Sequence, residues 1–501
     1  MRRLIILLHR YIGIPMSVVF VVWFISGIVM IYTGGMPELG RSERLQGLGA
    51  IDFDMISLSP ADAAAAAGID GPVAEASLGM LLGRPVYRLT PAAGWPATIF
   101  ADTGELFDRA GIEQGRSEVA RFLGQPLSAV QFDGVVAEPD QWTIVLASEL
   151  PLDRYKVVDG RGTRAYFSQS SGEVALVTDS TSRALAWAGA IPHWFYFTPL
   201  RQNAPLWYWT VVWVAVVGCF MALLGIILAF TQFRRSKPFR LSASIRYRGS
   251  MRWHYYTGAL FGLFALTWAF SGMMSMEPFD WTNATGMRLP GSVMQGEAIE
   301  LEPYRLDGSV VDVLGGAPAE IDLLGIHGAP FFLATSVTAD GDMSRQYIDA
   351  STLQLRREPF PAEPVIDRIE QSVTGAAIVE STVLDDYDAY YYAQDGSAPL
   401  PALRVRFDDP AETWYYFDLM TGRPVAANHR LGRIERWLFQ GLHSLDFGFW
   451  YQRRPLWDIA MIVLSLGALA TSGIGLWLGF RRLFGRPPGS AARTRQASAK
   501  D

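Results

Sequence analysis

Four runs along the chain, roughly 4–33, 207–232, 254–276 and 456–480, are apolar over nearly their whole length. About 20 such residues cross the hydrocarbon core of a bilayer as a helix, and in lipid only a helix or a closed barrel satisfies every backbone N–H and C=O. Four spanning helices therefore frame this chain, and the rest must hang from their ends. The first run follows Arg2 and Arg3, as a signal peptide would. Its apolar core is too long for one and no A-x-A cleavage site follows Tyr32, so it is expected to remain as an anchor.

Charge sets the orientation. The loop 233–253 holds Arg234, Arg235, Lys237, Arg240, Arg246, Arg248 and Arg252 with no acidic residue, Arg2, Arg3 and Arg10 precede the first span, and Arg481, Arg482, Arg486, Arg493, Arg495 and Lys500 follow the last. The positive-inside rule makes these three segments cytoplasmic, so both termini are inside and two long segments face out. Residues 34–190 hold 20 acidic against 12 basic residues, and 277–440 hold 26 against 12. The net charge of −6 is thus the sum of a basic inside and an acidic outside.

The outward segments read as strands joined by tight polar turns, with some helix. Pro85–Leu89 leads to Ala101-Asp102-Thr103-Gly104, Arg164–Phe167 to Ser170-Ser171-Gly172, Gln346–Asp349 to Ser351-Thr352, and Trp414–Asp418 to Thr421-Gly422. Helices are expected near 60–67, 115–123 and 363–372, and the Gly/Pro/Ser/Ala/Arg tail from about 485 is expected to be disordered.

Self-comparison places the histidines. With His9 set over His254, Gly13 falls on Gly258, Trp23 on Trp268 and Ser26-Gly27 on Ser271-Gly272 without a gap. With His193 set over His443, Gln202 falls on Gln452, Pro205-Leu206-Trp207 on Pro455-Leu456-Trp457 and Gly225 on Gly475. The chain reads as two copies of one unit, span then outer segment then span, arranged as parallel repeats. Four of the six histidines occupy equivalent positions. His9 and His254 open spans at the cytoplasmic edge, while His193 and His443 lie 14 residues before the tryptophan that begins a span at the outer edge. A full membrane thickness separates the two edges, so symmetry pairs His9 with His254 and His193 with His443.

Two imidazoles facing one another suit the iron of a b-type haem, which needs no covalent attachment. The single cysteine, Cys219, excludes a thiolate cluster, an internal disulfide and a C-x-x-C-H covalent haem site. Gly13/Gly258, Ser26-Gly27/Ser271-Gly272 and Gly225/Gly475 are small enough to admit a porphyrin, and Arg10, Arg252, Arg201, Arg453 and Arg454 could meet its propionates. Two haems, one near each face, would form an electron path. An alternative makes each histidine an interfacial polar residue or a helix cap, which a duplication copies whether or not it acts. His327 and His429 have no repeat partner and are expected to be ordinary surface or loop residues, with His429 as a reserve ligand.

His9-Arg10-Tyr11-Ile12-Gly13 with Ser26-Gly27, repeated from His254, and Trp437-Leu438-Phe439-Gln440-Gly441-Leu442-His443-Ser444-Leu445-Asp446-Phe447 followed by Arg454-Pro455-Leu456-Trp457 resemble the PepSY-associated transmembrane family. The strands ending in Asp102-Thr103-Gly104 and Thr421-Gly422 are similar to PepSY modules, and Asp386–Tyr392 is similar to a tyrosine-rich stretch common in such proteins. The resemblance implies a bacterial inner-membrane protein similar to ferric-siderophore reductases. Such a protein would carry haem b, with haem iron held by His9, His254, His193 and His443, and would pass electrons to a periplasmic acceptor such as a ferric chelate. Some relatives carry a fused flavin reductase. Here no G-x-G-x-x-G follows a strand, so the donor is expected to be quinol or a separate cytoplasmic reductase docking on the basic loop.

The expected architecture is a membrane α-helical bundle of four transmembrane helices with two α+β periplasmic domains containing PepSY-like modules. The expected boundaries are 1–33 (first span), 34–190 (first domain), 191–232 (interfacial segment and second span), 233–253 (basic loop), 254–276 (third span), 277–432 (second domain), 433–482 (interfacial helix and fourth span) and 483–501 (tail). The acidic domains favour a cationic ligand through their field, or simply stay soluble. Tyr387, Tyr390, Tyr391 and Tyr392 with Trp414 could stack on a flat ligand or line a half-buried sheet. A second function class is a membrane-anchored PepSY binding or regulatory protein that takes a peptide or a peptidase partner without redox chemistry. A transporter is disfavoured because no span is expected to bury a carboxylate or to be broken mid-membrane by proline. With no nucleophile triad, P-loop or zinc spacing, hydrolysis and nucleotide chemistry are not expected, nor is nucleic-acid binding.

Overall fold

Each apolar run forms one continuous helix in the computed structural model, which describes residues 2–237, 240, 244–283, 286–294, 298–393 and 397–484. The tail from about 485 lies outside the described residues. The helices are Arg2–Thr33, Ala204–Gln232, Ser250–Met274 and Leu456–Phe484, each long and apolar enough to cross a membrane. Their ends follow ordinary helix chemistry. The Asn203 side chain accepts from the Leu206 N–H at 3.1 Å and Pro205 sits in the first turn of the second helix, while Arg481 and Arg482 occupy the last turn of the fourth. Large apolar residues such as Trp213, Leu260, Leu263 and Leu466 remain exposed, as a helix that is apolar all round requires when its outer face meets lipid.

Of two sequence expectations about these helices, that proline breaks none of them holds and that none buries a carboxylate is corrected. Pro15 lies inside the first helix, which continues through it; the loss of one donor is tolerable where the neighbouring turns stay bonded, and Ser17 Oγ donates to the Gly13 carbonyl at 2.6 Å. Asp458, in the first turn of the fourth helix, is buried at 6% exposure. Its Oδ2 accepts from Arg454 Nε at 2.6 Å, and a helix N-terminus favours a negative charge. The carboxylate therefore sits at the terminal turn, where a pair and a dipole lower the cost of burying it.

The chain divides into two compact units, one within 1–36, 184–282 and 434–501, the other within 37–183 and 283–433. In the first, the four helices share a core of Met16, Phe20, Phe24, Met221, Ala265, Trp268, Ala269, Trp457, Met461 and Ala468.

The second unit draws on both long segments. Strands β1 (Val73–Leu81), β2 (Arg84–Pro91) and β3 (Ala97–Phe100) come from one; β8 (Glu320–Ile326), β9 (Ala329–Val337), β10 (Met343–Asp349) and β11 (Leu355–Arg356) come from the other. They form a single seven-stranded sheet in the order β11-β10-β9-β8-β1-β2-β3. The seam is antiparallel, with Ala76 opposite Leu323 and Gly79 opposite Glu320. Each strand at the seam would otherwise be an edge with unpaired backbone groups. The core beneath mixes the segments, joining Val73, Leu78, Tyr87 and Ile99 to Ile321, Leu323, Phe332 and Ile348. The β1–β2 and β8–β9 hairpins each turn on two residues of positive φ, Leu82-Gly83 and His327-Gly328, the geometry that matches strand twist in a two-residue loop.

Each segment also contributes a four-stranded antiparallel sheet. Strands β4 (Val130–Val136), β5 (Leu152–Val157), β6 (Arg164–Phe167) and β7 (Val174–Thr178) run in sequence order, as do β12 (Ile378–Leu384), β13 (Ala402–Phe407), β14 (Trp414–Asp418) and β15 (Arg423–Asn428). The helix Ile112–Phe122 packs Val119 and Ala120 against Tyr155 and Phe167, and Glu363–Ser372 packs Val365 and Ile369 against Leu403, Val405 and Phe417. The strand-turn-strand readings at 164–178, 346–356 and 414–428 and the helices near 60–67, 115–123 and 363–372 match observed elements.

The tyrosine-rich stretch is not a strand: 385–393 is irregular. Tyr391 is buried and stacks on Tyr416 at 4.8 Å, Tyr390 meets Trp414 edge-on at 5.5 Å, and the Arg433 guanidinium lies 4.1 Å from the centre of the Trp414 ring. Internal packing thus takes up the ring faces that a flat ligand would need.

Candidate functional site

His9 lies in the third turn of the first helix and His254 in the second turn of the third. Their ring centres are 6.2 Å apart. Each ring is held by the other long helix of its own half of the chain. His9 Nδ1 lies 3.1 Å from the Met221 carbonyl, and His254 Nδ1 lies 3.1 Å from the Thr471 carbonyl. A carbonyl only accepts, so both rings carry the proton on Nδ1, which leaves the Nε2 lone pair unengaged by these bonds. The approach needs glycine: a Cβ at Gly225 would stand 2.9 Å from His9 Cε1, and one at Gly475 would stand 3.2 Å from His254 Cε1.

The second pair is built differently and ends in the same state. His193 belongs to the short helix Ala190–Trp194 and His443 to Leu442–Ser444, which follows a π-helical turn at Trp437–Gly441. Both short helices stop on a left-handed residue, Phe195 or Leu445. The ring centres are 6.1 Å apart. His193 Nδ1 lies 3.0 Å from Ser26 Oγ, and His443 Nδ1 lies 2.9 Å from Ser271 Oγ. Each serine spends its own proton on its helix, Ser26 on the Val22 carbonyl at 2.7 Å and Ser271 on the Trp268 carbonyl at 3.2 Å. Each serine oxygen therefore accepts from the imidazole, and again Nε2 keeps its lone pair.

The glycine after each serine gives the ring room, with a notional Cβ 3.4 Å from His193 Cε1 at Gly27 and 3.6 Å from His443 Cε1 at Gly272. Two indoles brace the turns from behind: Trp207 Nε1 donates to the Trp194 carbonyl and Trp457 Nε1 to the Ser444 carbonyl, each at 2.8 Å. Burial pushes the His193 imidazole down to about 4 and, with His193 beside it, His443 to about 3, so both are neutral at physiological pH.

These two histidines line a largely apolar cavity of about 580 Å³ together with Gly27, Gly272, Trp23, Trp207 and Trp457. That volume falls in the range of small-molecule and cofactor sites, about 300–1,000 Å³. A family model for the PepSY-associated TM region matches residues 6–482, a span that takes in all four histidines. The chain belongs to the PepSY-associated TM family. No curated protein matches it.

Within this PepSY-associated TM protein, the other expected site residues are placed unevenly. Arg201 covers Trp207 at 4.5 Å and Tyr196 at 5.3 Å, both lining the cavity, and its Nε is buried without an acceptor. Arg454 is committed to Asp458, and Arg252 Nε donates to the Tyr247 carbonyl at 2.7 Å. Arg10 and Arg453 are exposed. Gly13 has no atom within 4 Å of a notional Cβ. His429 caps a helix, its Nδ1 accepting from the Gly432 N–H at 3.1 Å, and His327 packs edge-on against Phe360 at 4.9 Å in the second unit. Sequence reasoning took Ser26 and Ser271 only as small residues; their role as acceptors and the carbonyls of Met221 and Thr471 were missed. Backbone acceptors leave no mark in a sequence, and only the repeat spacing could have pointed to them.

Proposed function

We propose that this family member is an inner-membrane b-type haem protein that passes electrons across the bilayer, with haem iron held by His9 and His254 at one site and by His193 and His443 at the other. The observation that carries the reading is the pair of ring separations, 6.2 and 6.1 Å, with every Nδ1 turned to an acceptor. With metal–nitrogen bonds of about 2 Å, two imidazoles sharing one metal have ring centres about 6.3 Å apart. Among the described residues no three His, Cys, Asp or Glu side chains converge as a metal site. Each pair thus supplies two ligands, which suits a metal that arrives with four porphyrin nitrogens better than a bare ion. His9 with His254 and His193 with His443 would hold the group, and a haem with two imidazole ligands would supply single-electron transfer.

The residues of the chain bind, orient and insulate. The carbonyls of Met221 and Thr471 and the hydroxyls of Ser26 and Ser271 fix tautomer and ring direction, as acceptors behind metal-bound histidines do. His9 and Ser26 lie on one helix 17 residues apart, so the two sites are separated by about 25 Å along it. Between them Phe20, Phe24 and Trp268 form a ring series with centres 5.7 Å apart at each step, in a water-excluding core. The two-copy architecture, cytoplasmic termini and periplasmic PepSY-like domains are part of the proposal and rest on the charge distribution and the matched spacings. A quinol releasing two electrons and two protons, or a cytoplasmic reductase, would serve as donor. A ferric chelate taking one electron per iron would serve as acceptor, its cation favoured by the acidic long segments.

The test is a reduced-minus-oxidised spectrum of the purified full chain, beside His9→Ala and His443→Ala. The proposal expects b-type Soret and α bands, with each variant losing about half of the haem. Absence of these bands after expression with adequate haem would end it.

A further inference from the structure

Trp23 and Trp268 occupy matched places three residues before the serines that hold His193 and His443. Their indole N–H groups nevertheless end differently. Trp268 Nε1 donates to the His443 carbonyl at 2.7 Å. Trp23 Nε1 is buried against solvent and has no acceptor, while the Trp23 side chain lines the cavity beside His193. A buried donor left unpaired costs as much as a lost hydrogen bond, and each such group in a native protein calls for a partner. Arg201, which lies over the cavity-lining Trp207, carries a second buried nitrogen without an acceptor. Trp23 and Arg201 belong to the first half of the chain; Trp268, which matches Trp23 in the second half, closes its indole on protein.

We propose that Trp23 Nε1 is a ligand-binding donor, taking a carboxylate of the molecule in the cavity, with Arg201, over the lining Trp207 and Tyr196, as counter-charge. The inference rests on the haem reading above, in which the carboxylate is a propionate. It sets the orientation of the ligand: the acidic edge faces the Trp23 and Arg201 side and the apolar edge faces the Trp268 side. It also makes the two halves of the cavity chemically unequal although their histidines are matched. Trp23 acts here as a binding residue and touches no reacting atom.

The experiment uses the full chain in detergent, stripped and reloaded with two probes, haem b and iron etioporphyrin, which has no carboxylates. Retention against a competing haem acceptor is measured for the wild type, Trp23→Phe and Trp268→Phe. Phenylalanine keeps most of the ring and removes the N–H. The proposal expects Trp23→Phe to lose haem b from the His193/His443 site about tenfold faster than wild type, to hold iron etioporphyrin as well as wild type does, and to show a changed midpoint potential for that haem. Trp268→Phe should weaken both probes equally, because its N–H positions His443 and not the carboxylate. Equal retention of haem b by wild type and Trp23→Phe overturns the proposal. So does an equal loss of both probes in Trp23→Phe, which would make the indole a packing group. A wild-type chain that takes up neither porphyrin removes the haem reading, and this proposal falls with it.

Discussion

Gly225→Ala tests whether the His9 imidazole is held by geometry or merely lies near its neighbours. The added Cβ would stand 2.9 Å from His9 Cε1, where carbon atoms rest at about 3.5–4.0 Å. The ring must therefore retreat by about 0.6–1.1 Å, since helix backbone at position 225 cannot yield as a side chain can. His9 Nδ1 now lies 3.1 Å from the Met221 carbonyl, and a retreat of that size carries it past hydrogen-bonding distance. The overpacking costs about 1–3 kcal/mol, offset by about 1 kcal/mol of improved helix propensity. The fold should survive while the His9/His254 site fails. The assay is haem content per chain with low-spin EPR to distinguish the sites, run beside Gly473→Ala, where a Cβ meets no atom within 4 Å. Gly225→Ala should lose the signal of one site and keep the other, and Gly473→Ala should keep both. Full haem content with unshifted EPR signals in Gly225→Ala would refute the claim that this close approach fixes the ligand.

Two further outcomes concern the second unit. Burial, with Glu320 next, pushes the Asp322 carboxyl up to about 6 against the pull of Arg41, Arg345 and Arg423. A raised folded-state pKa means that its stabilising contribution is complete below the ordinary value of 3.8 and lost as pH rises through about 6. Asp322→Asn should therefore be more stable than wild type at pH 8 by about 1–2 kcal/mol, a figure reduced because water reaches part of the side chain, and near neutral at about pH 3; urea-dependent proteolysis of the full chain at both pH values would show no difference if the carboxylate were well solvated. Leu78→Ala removes a fully buried side chain at the seam between β1 and β8 and should cost about 2–5 kcal/mol. Because the core beneath is shared, limited proteolysis should open sites in both 37–183 and 283–433 together, and new cleavage in the first segment alone would count against a common core.

The sequence by itself determined the parts that depend on local composition and spacing. Apolar length set four helices to within a few residues, because lipid leaves the backbone no other solution. Tight-turn residues marked three of the four hairpins near where they occur, and matched spacing singled out His9, His254, His193 and His443 from the six histidines. Tertiary structure decided what depends on groups far apart in the chain. That β1 pairs β8 across the two long segments could not be read from either strand, since an edge strand carries the same pattern whatever completes it. Whether the tyrosines at 387–392 stack on a ligand or pack internally was open in the sequence; Tyr391 stacks on Tyr416 and Tyr390 meets Trp414 edge-on. Which nitrogen each imidazole keeps free was settled by Met221, Thr471, Ser26 and Ser271, and two of these act through backbone carbonyls that every residue owns. Matched spacing made Trp23 and Trp268 equal in sequence; only packing gave one indole an acceptor and left the other without.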